Sequence, residues 1–279
     1  MSTGHSAKLE TPELERLCSM TDPAIRAEFE DYLARLTQVA RDREDVIGLV
    51  GMGSTAELWR VDEWSDHDFA WMVADGAQDR YRHDLSWLPD SERIALSVVE
   101  HHGGVKVIYD DGHVLEFGLA TLESLQQWFG YAVEVYVDKG GVADAVAGMV
   151  AKPLPEGPVD LARTMRLIMT QLLIGVGRAR RGEVLTAGLN IRTEAVGHLL
   201  VALTQVVPGE EPARLDSLEP RRRFEFVHPE LAARIEAAIR LAPEDAARTL
   251  LDLAEEQLGA HPDFPQSGAD AIRNRLGWS

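Results

Sequence analysis

Apolar residues recur every three or four positions at Ile25, Phe29, Leu33, Leu36 and Val39, the period of one face of an α-helix. Thr21, Asp22 and Pro23 stand just before them with two capping side chains and a fixed φ, so a helix is predicted from 21 to 40, packed on the sheet that follows. The period then shortens. Runs of apolar or alternating residues at 46–50, 66–73, 94–99, 105–109, 114–119 and 132–137 predict strands, with Asp110-Asp111-Gly112 closing a hairpin between the fourth and fifth. Between them a polar helix is predicted over 77–88, closed by Pro89, and another over 122–129, capped by Thr121.

Beyond Lys152-Pro-Leu-Pro-Glu-Gly-Pro158 the pattern changes again. Three prolines and a glycine in that stretch read as an exposed linker. After it, helical periodicity predicts helices over 159–180, 186–206, 229–241 and 243–259, with no strand-like alternation. The fold class expected is therefore α+β: a domain over 1–152 with a mixed sheet and flanking helices, and a helical bundle over 159–279.

Composition narrows the partners. At 279 residues, 45% of them hydrophobic, the chain can build proper cores. Its formal charge of -18, from 28 basic against 46 acidic residues, speaks against nucleic acid as a general partner and for a neutral or cationic one. A single cysteine, Cys18, excludes an internal disulfide framework and a cysteine-rich zinc site. The first residues lack the layout of a signal peptide and no apolar run is long enough to span a membrane, so a cytoplasmic protein without a membrane partner is expected.

The candidate chemistry lies in 47–73, Ile-Gly-Leu-Val-Gly-Met-Gly-Ser-Thr-Ala-Glu-Leu-Trp-Arg-Val-Asp-Glu-Trp-Ser-Asp-His-Asp-Phe-Ala-Trp-Met-Val. A strand runs into Gly51 and Gly53 and then the Ser54 hydroxyl at a helix start, which reads as an anion site. Asp66 and Asp68, two apart on the next strand, point to one face while His67 points to the other. Two carboxylates so held repel unless a cation lies between them, and Mg²⁺, which keeps positions open for phosphate oxygens, suits such a pair.

These residues resemble the motif of the DNA polymerase β-like nucleotidyltransferase superfamily, Gly-Ser on a strand-to-helix turn followed, after a loop, by Asp-x-Asp on the next strand. Gly53-Ser54 and Asp66-x-Asp68 fill those places. The resemblance implies a third carboxylate on a later strand, for which Glu116, a charge inside Val-Leu-Glu-Phe-Gly, is the candidate. The family usually carries Asp there, so both roles stay open for Glu116, metal ligand and general base. Lys139, in the turn Asp-Lys-Gly-Gly, reads as a triphosphate contact, since similar turns occur in the family, and equally as an exposed turn lysine. The branch of aminoglycoside and lincosamide antibiotic nucleotidyltransferases appends a helical domain, which implies a substrate-binding role for 159–279.

The activity implied is an Mg²⁺-dependent adenylyl transfer from ATP to a hydroxyl of a small-molecule acceptor. Asp66, Asp68 and Glu116 would be at the metal, and Gly53 and Ser54 at the β- and γ-phosphates. The alternative on the same fold is a nucleotide-binding antitoxin or regulator, or an enzyme that modifies a protein.

Other readings fall away. Gly51-Met-Gly53-Ser-Thr-Ala56 also fits a dinucleotide fingerprint with Asp75 as the ribose-binding acid, but the charged, turn-forming Arg60–Asp66 stretch is not the long apolar helix such a site needs. A P-loop lacks its Gly-Lys-Ser/Thr, and a serine hydrolase its Gly-x-Ser-x-Gly. The nine histidines, His101-His102 included, show no zinc-protease spacing. Arg178-Ala-Arg180-Arg181 reads as a helix C-terminus, and Arg221-Arg222-Arg223 as either a phosphate contact or a solvated cluster.

Overall fold

The computed structural model describes residues 22–130, 132–152, 159–216, 219 and 221–278. The chain divides into two compact units, 1–154 and 155–279. The expected linker at 153–158, with its openness to protease, and Thr21 lie outside the described residues.

In the first unit, helix α1 (Pro23–Asp42) starts at Asp22, whose carboxylate accepts from the Ala24 amide at 2.8 Å. It buries Phe29, Tyr32, Leu33, Leu36 and Ala40, the face its periodicity marks. Six strands follow: β1 (Val46–Met52), β2 (His67–Val73), β3 (Ile94–Val99), β4 (Val105–Tyr109), β5 (Val114–Ala120) and β6 (Val133–Asp138). They form one sheet in the order β3-β4-β5-β2-β1-β6, and only β2 and β5 run parallel. One face carries Leu49, Phe69, Trp71, Val73, Val105, Val107, Leu115 and Phe117 against α1, Tyr81 and Trp87. The other carries Val50, Ala70, Met72 and Ala120 against helices α4 (Leu122–Leu125) and α5 (Val142–Val150). The edge strand β3 has Leu96, Val98 and Val99 exposed.

The predicted helix over 77–88 shrinks to α3 (Gln78–His83), because Asp84 turns the chain by accepting from the Ser86 amide at 3.0 Å and Trp87 folds back to donate its indole N–H to the Tyr81 carbonyl. That over 122–129 is the single turn of α4. Helix α2 (Gly53–Ala56) is one turn long as well. Helix α5 was not anticipated. Its start is set by Asp138, whose carboxylate accepts from the amides of Gly140, Val142 and Ala143, bonds that hold its pKa below the ordinary value.

The regular elements described in the second unit are all helical. They are α6 (Leu161–Arg180), α7 (Val184–Gly188), a π-helical stretch (Leu189–Ala195), α8 (Val196–Val206), a 3-10 turn (Pro212–Arg214), α9 (Phe224–Val227), α10 (Pro229–Ile239), α11 (Pro243–Leu258) and α12 (Gln266–Leu276). Leu172, Val176, Ile191, Leu199, Leu203, Leu250 and Leu251 meet in its core. The helix predicted over 186–206 is thus interrupted by a π-helical segment, and α12 lies beyond the predicted set.

Candidate active site

The glycine turn is built for close packing as well as for turning. Gly53 has φ +55°, a conformation that favours glycine. Gly51 is a glycine for space, since a Cβ there would lie 2.7 Å from the Tyr136 ring and 2.9 Å from the Thr55 methyl. The turn is stapled to the start of β2 by its hydroxyls: Ser54 Oγ donates to the Asp66 carbonyl at 3.2 Å, and the buried Thr55 Oγ1 accepts from the Asp68 amide at 2.9 Å. Tyr136 in turn donates to the Thr55 carbonyl at 2.6 Å. Thr55 escaped the sequence reading, although its hydroxyl next to Ser54 was the available signal.

The helix start expected to hold an anion is a short one. Helix α2 has four residues, too few for an appreciable macrodipole, and the Gly53 amide is taken by the Ala132 carbonyl at 3.2 Å. Positive charge arrives from a side chain instead. A Cβ on Gly53 would stand 3.3 Å from Arg60 Nη2 and 3.7 Å from Asp68 Oδ2, so the Arg60 guanidinium and the Asp68 carboxylate both reach the hollow over this glycine. Arg60 also pairs with Glu57 at 3.2 Å.

Strand β2 begins at His67, so Asp66 stands one residue ahead of it rather than on it. The alternation holds nonetheless: His67 is buried on the aromatic face, while Asp66 and Asp68 are half-exposed. Parallel pairing of β2 with β5 sets Asp68 beside Glu116. Glu116 lies opposite Lys106, and Lys106 opposite Val98. Laterally paired residues share a face of the sheet, so these four make one row with strands about 4.8 Å apart. Lys106 Nζ stands 3.4 Å from both Glu116 and Glu100, and Glu100 meets His102 at 3.1 Å. The two carboxylates, Glu116 foremost, hold the Lys106 pKa above its ordinary value.

Carboxylate oxygens are the donors Mg²⁺ takes, so in chemistry Asp66, Asp68 and Glu116 suit a hard cation. As a cage the three are not assembled: among the described residues no group of three or more His, Cys, Asp or Glu side chains is placed to hold a metal ion. Glu116 is drawn to the ammonium on the neighbouring strand instead. Exposed pairs of this kind are worth roughly 0–1 kcal/mol, so Glu116 can leave Lys106 at small cost.

Lys139 is not brought to the site. Because β6 runs antiparallel to β1, its end lies beside the start of β1: the Lys139 amide donates to the Ile47 carbonyl, and Nζ donates to the Arg43 carbonyl at 2.6 Å. Six strand residues, about 20 Å, separate Ile47 from Gly53, beyond a lysine's reach.

Behind the acids, His67 Nε2 sits 3.0 Å from the Phe29 carbonyl, which can only accept, so it carries the proton. Its Nδ1 then accepts from His113 Nε2 at 2.8 Å. Burial, and next the His113 ring, push the His67 pKa down to about 3, so this residue is a neutral bolt between α1 and β2. In the second unit the basic triplet is divided, with Arg221 on Glu219 at 2.6 Å and Arg222 near Asp216 at 3.5 Å.

No protein-family model and no curated protein matches the sequence. Among solved structures, the chain is similar to an aminoglycoside 6-adenyltransferase from Bacillus subtilis, with 11% identity and a TM-score of 0.29 over 88% of this chain and 90% of that one. It is also similar to a CdnC:HORMA-deltaN complex from E. coli, with 12% identity and a TM-score of 0.33 over 92% and 99%. A third is a STING-associated CdnE c-di-GMP synthase from Capnocytophaga granulosa, with 11% identity and a TM-score of 0.31 over 96% and 88%. Likeness at this level assigns no activity to the chain. No helix among the described residues is long and apolar enough to cross a membrane.

Proposed function

We propose that the chain is a nucleotidyltransferase that moves a nucleoside monophosphate, AMP from ATP in the first instance, onto a hydroxyl of a small molecule and releases pyrophosphate. The observation that carries this reading is the register that sets Asp68 beside Glu116, two residues from Asp66 and next to a hydroxyl-stapled glycine turn. That arrangement gathers three carboxylates from two strands at neighbouring positions, a pattern that functional sites favour.

Mg²⁺, held by Asp66 and Asp68, would supply the positive charge that draws phosphate oxygens and makes the acceptor hydroxyl acidic. The rest falls to the chain's own groups. Arg60, over Gly53, offers a planar donor set to phosphate oxygens. Glu116, on the adjacent strand, takes the proton of the acceptor hydroxyl. Lys106 balances its charge until then. Aminoglycosides and lincosamides are the acceptors to try first, and a charge of -18 favours the more cationic.

The second reading, a nucleotide-binding antitoxin or regulator of the same fold, is favoured by one observation: Glu116 rests on Lys106, and no three-acid cage is assembled among the described residues. Incubation with Mg²⁺, labelled ATP and a panel of both antibiotic classes, with products read by mass, decides between them. Transfer to any acceptor supports the enzyme. Tight nucleotide binding without transfer supports the regulator, and absence of nucleotide binding sinks both.

A further inference from the structure

The loop that joins the glycine turn to β2 holds Trp64, whose surface is 85% exposed. The five other tryptophans are buried or half-buried. Tryptophan has the largest apolar surface to hide, at about 25 cal/mol per Å², so a fully presented one calls for a use.

The loop around it is held. The Trp64 amide donates to Asp62 Oδ1 at 2.9 Å and Ser65 Oγ to the same oxygen at 3.0 Å, while the Asp62 amide donates to Ser65 Oγ at 3.0 Å. Val61, at its start, is fully buried, and Asp66, at its end, is tied by its carbonyl to Ser54. An indole is thus displayed from a pinned turn whose Trp64 Cα lies two residues of backbone, at most about 7 Å, from the Asp66 Cα.

Resting on the nucleotidyltransferase reading of the site, we infer that Trp64 is its base-stacking residue: the nucleobase lies on the indole face while the phosphates occupy the Arg60 and Asp66–Asp68 end. A flat, uncharged ring is complementary to another flat ring, and every nucleobase has a π-face. Stacking without hydrogen-bond readout gives affinity but no choice of base. Trp64 therefore strengthens the binding of all four nucleoside triphosphates alike.

The test is calorimetric, on the full chain with Mg²⁺, using ATP, GTP, CTP, UTP and inorganic triphosphate, which has the charges but no base. Trp64→Ala is expected to weaken each nucleotide by about 5- to 150-fold and to leave triphosphate within twofold. Trp64→Phe, which keeps a ring, is expected to recover most of the loss. Unchanged nucleotide affinity in Trp64→Ala overturns the inference, as does equal weakening of triphosphate, which would mark a structural role. Weakened aminoglycoside binding with ATP unchanged also overturns it and assigns the indole to a cationic acceptor. If the unsubstituted protein binds neither ATP nor triphosphate, the reading of the site fails first and the inference with it, a signature distinct from the others.

Discussion

Along β2 two kinds of chemistry alternate. His67, Phe69, Trp71 and Val73 face a layer of rings: Phe29 stacks on His67 at 3.6 Å, Trp71 on Trp87 at 4.2 Å and Phe69 on Phe117 at 4.9 Å. Asp68, Ala70 and Met72 face the other way, where small side chains meet α4 and α5 and acids line the open end. The difference is instructive. The aromatic packing lies on one face, while the opposite face packs smaller side chains against α4 and α5 and carries the paired carboxylates at its open end.

The comparison breaks most sharply at the acids. Asp66→Asn or Asp68→Asn should abolish Mg²⁺-dependent nucleotide binding and transfer together, with thermal stability kept, as calorimetry and a melting curve would show. If Glu116 is the base, Glu116→Gln should leave nucleotide bound while single-turnover transfer falls by roughly 10² to 10⁴. Weakened nucleotide binding would make it a metal ligand, and near-normal transfer would exclude both roles and turn attention to Glu100. On the ring face the penalty changes currency. Trp71→Ala should cost about 3–5 kcal/mol in urea unfolding, nucleotide binding being lost only with the fold.

Acid sharpens the same contrast. His67 is neutral in the folded chain, with a pKa of about 3, but takes a proton at about 6.5 once unfolded. Below that value the unfolded state binds more protons, so the stability it contributes is complete above pH 6.5 and declines as pH falls towards 3. Between pH 6.5 and 5 the loss is about 2 kcal/mol. Burial lowers the His113 pKa and acts in the same sense. Urea titrations at pH 7 and pH 5 should show the slope in the unsubstituted protein and a shallower one in His67→Gln. The smallest effect belongs to Lys139→Ala, which removes one bond to the Arg43 carbonyl for about 0.5–1.5 kcal/mol and leaves the KM for ATP where it was.

The strands were legible because their apolar runs are long and bounded by turn residues; β3 and β4 fall where the pattern puts them, at Ile94–Val99 and Val105–Tyr109. Single-turn helices such as Leu122–Leu125 were not, since one turn is too short to show a period and its end depends on tertiary contacts. The motif marked Asp66, Asp68 and Ser54, and alternation placed His67 on the far face. Register across strands distant in sequence stayed hidden. Nothing in the chain's order says that Lys106 will stand between Glu100 and Glu116, or that the end of β6 meets the wrong end of β1 for Lys139 to act. The Asp138-Lys139 turn, which reads equally as a phosphate contact and as an exposed turn, is the start signal of α5, with Lys139 exposed.

The edge strand β3 has one more consequence. Ile-Ala-Leu-Ser-Val-Val carries neither charge nor proline, and Leu96 and Val98 are 55% and 49% exposed, so the strand lacks the usual guards against pairing with a like edge. A net charge of -18 opposes such pairing by repulsion between like molecules. Colloidal stability is therefore a property of the solution as much as of the chain: concentrated stocks keep best in dilute salt and well above the isoelectric point near 4.9, and a lysine at Val98 would build into the strand itself the protection that the buffer now provides.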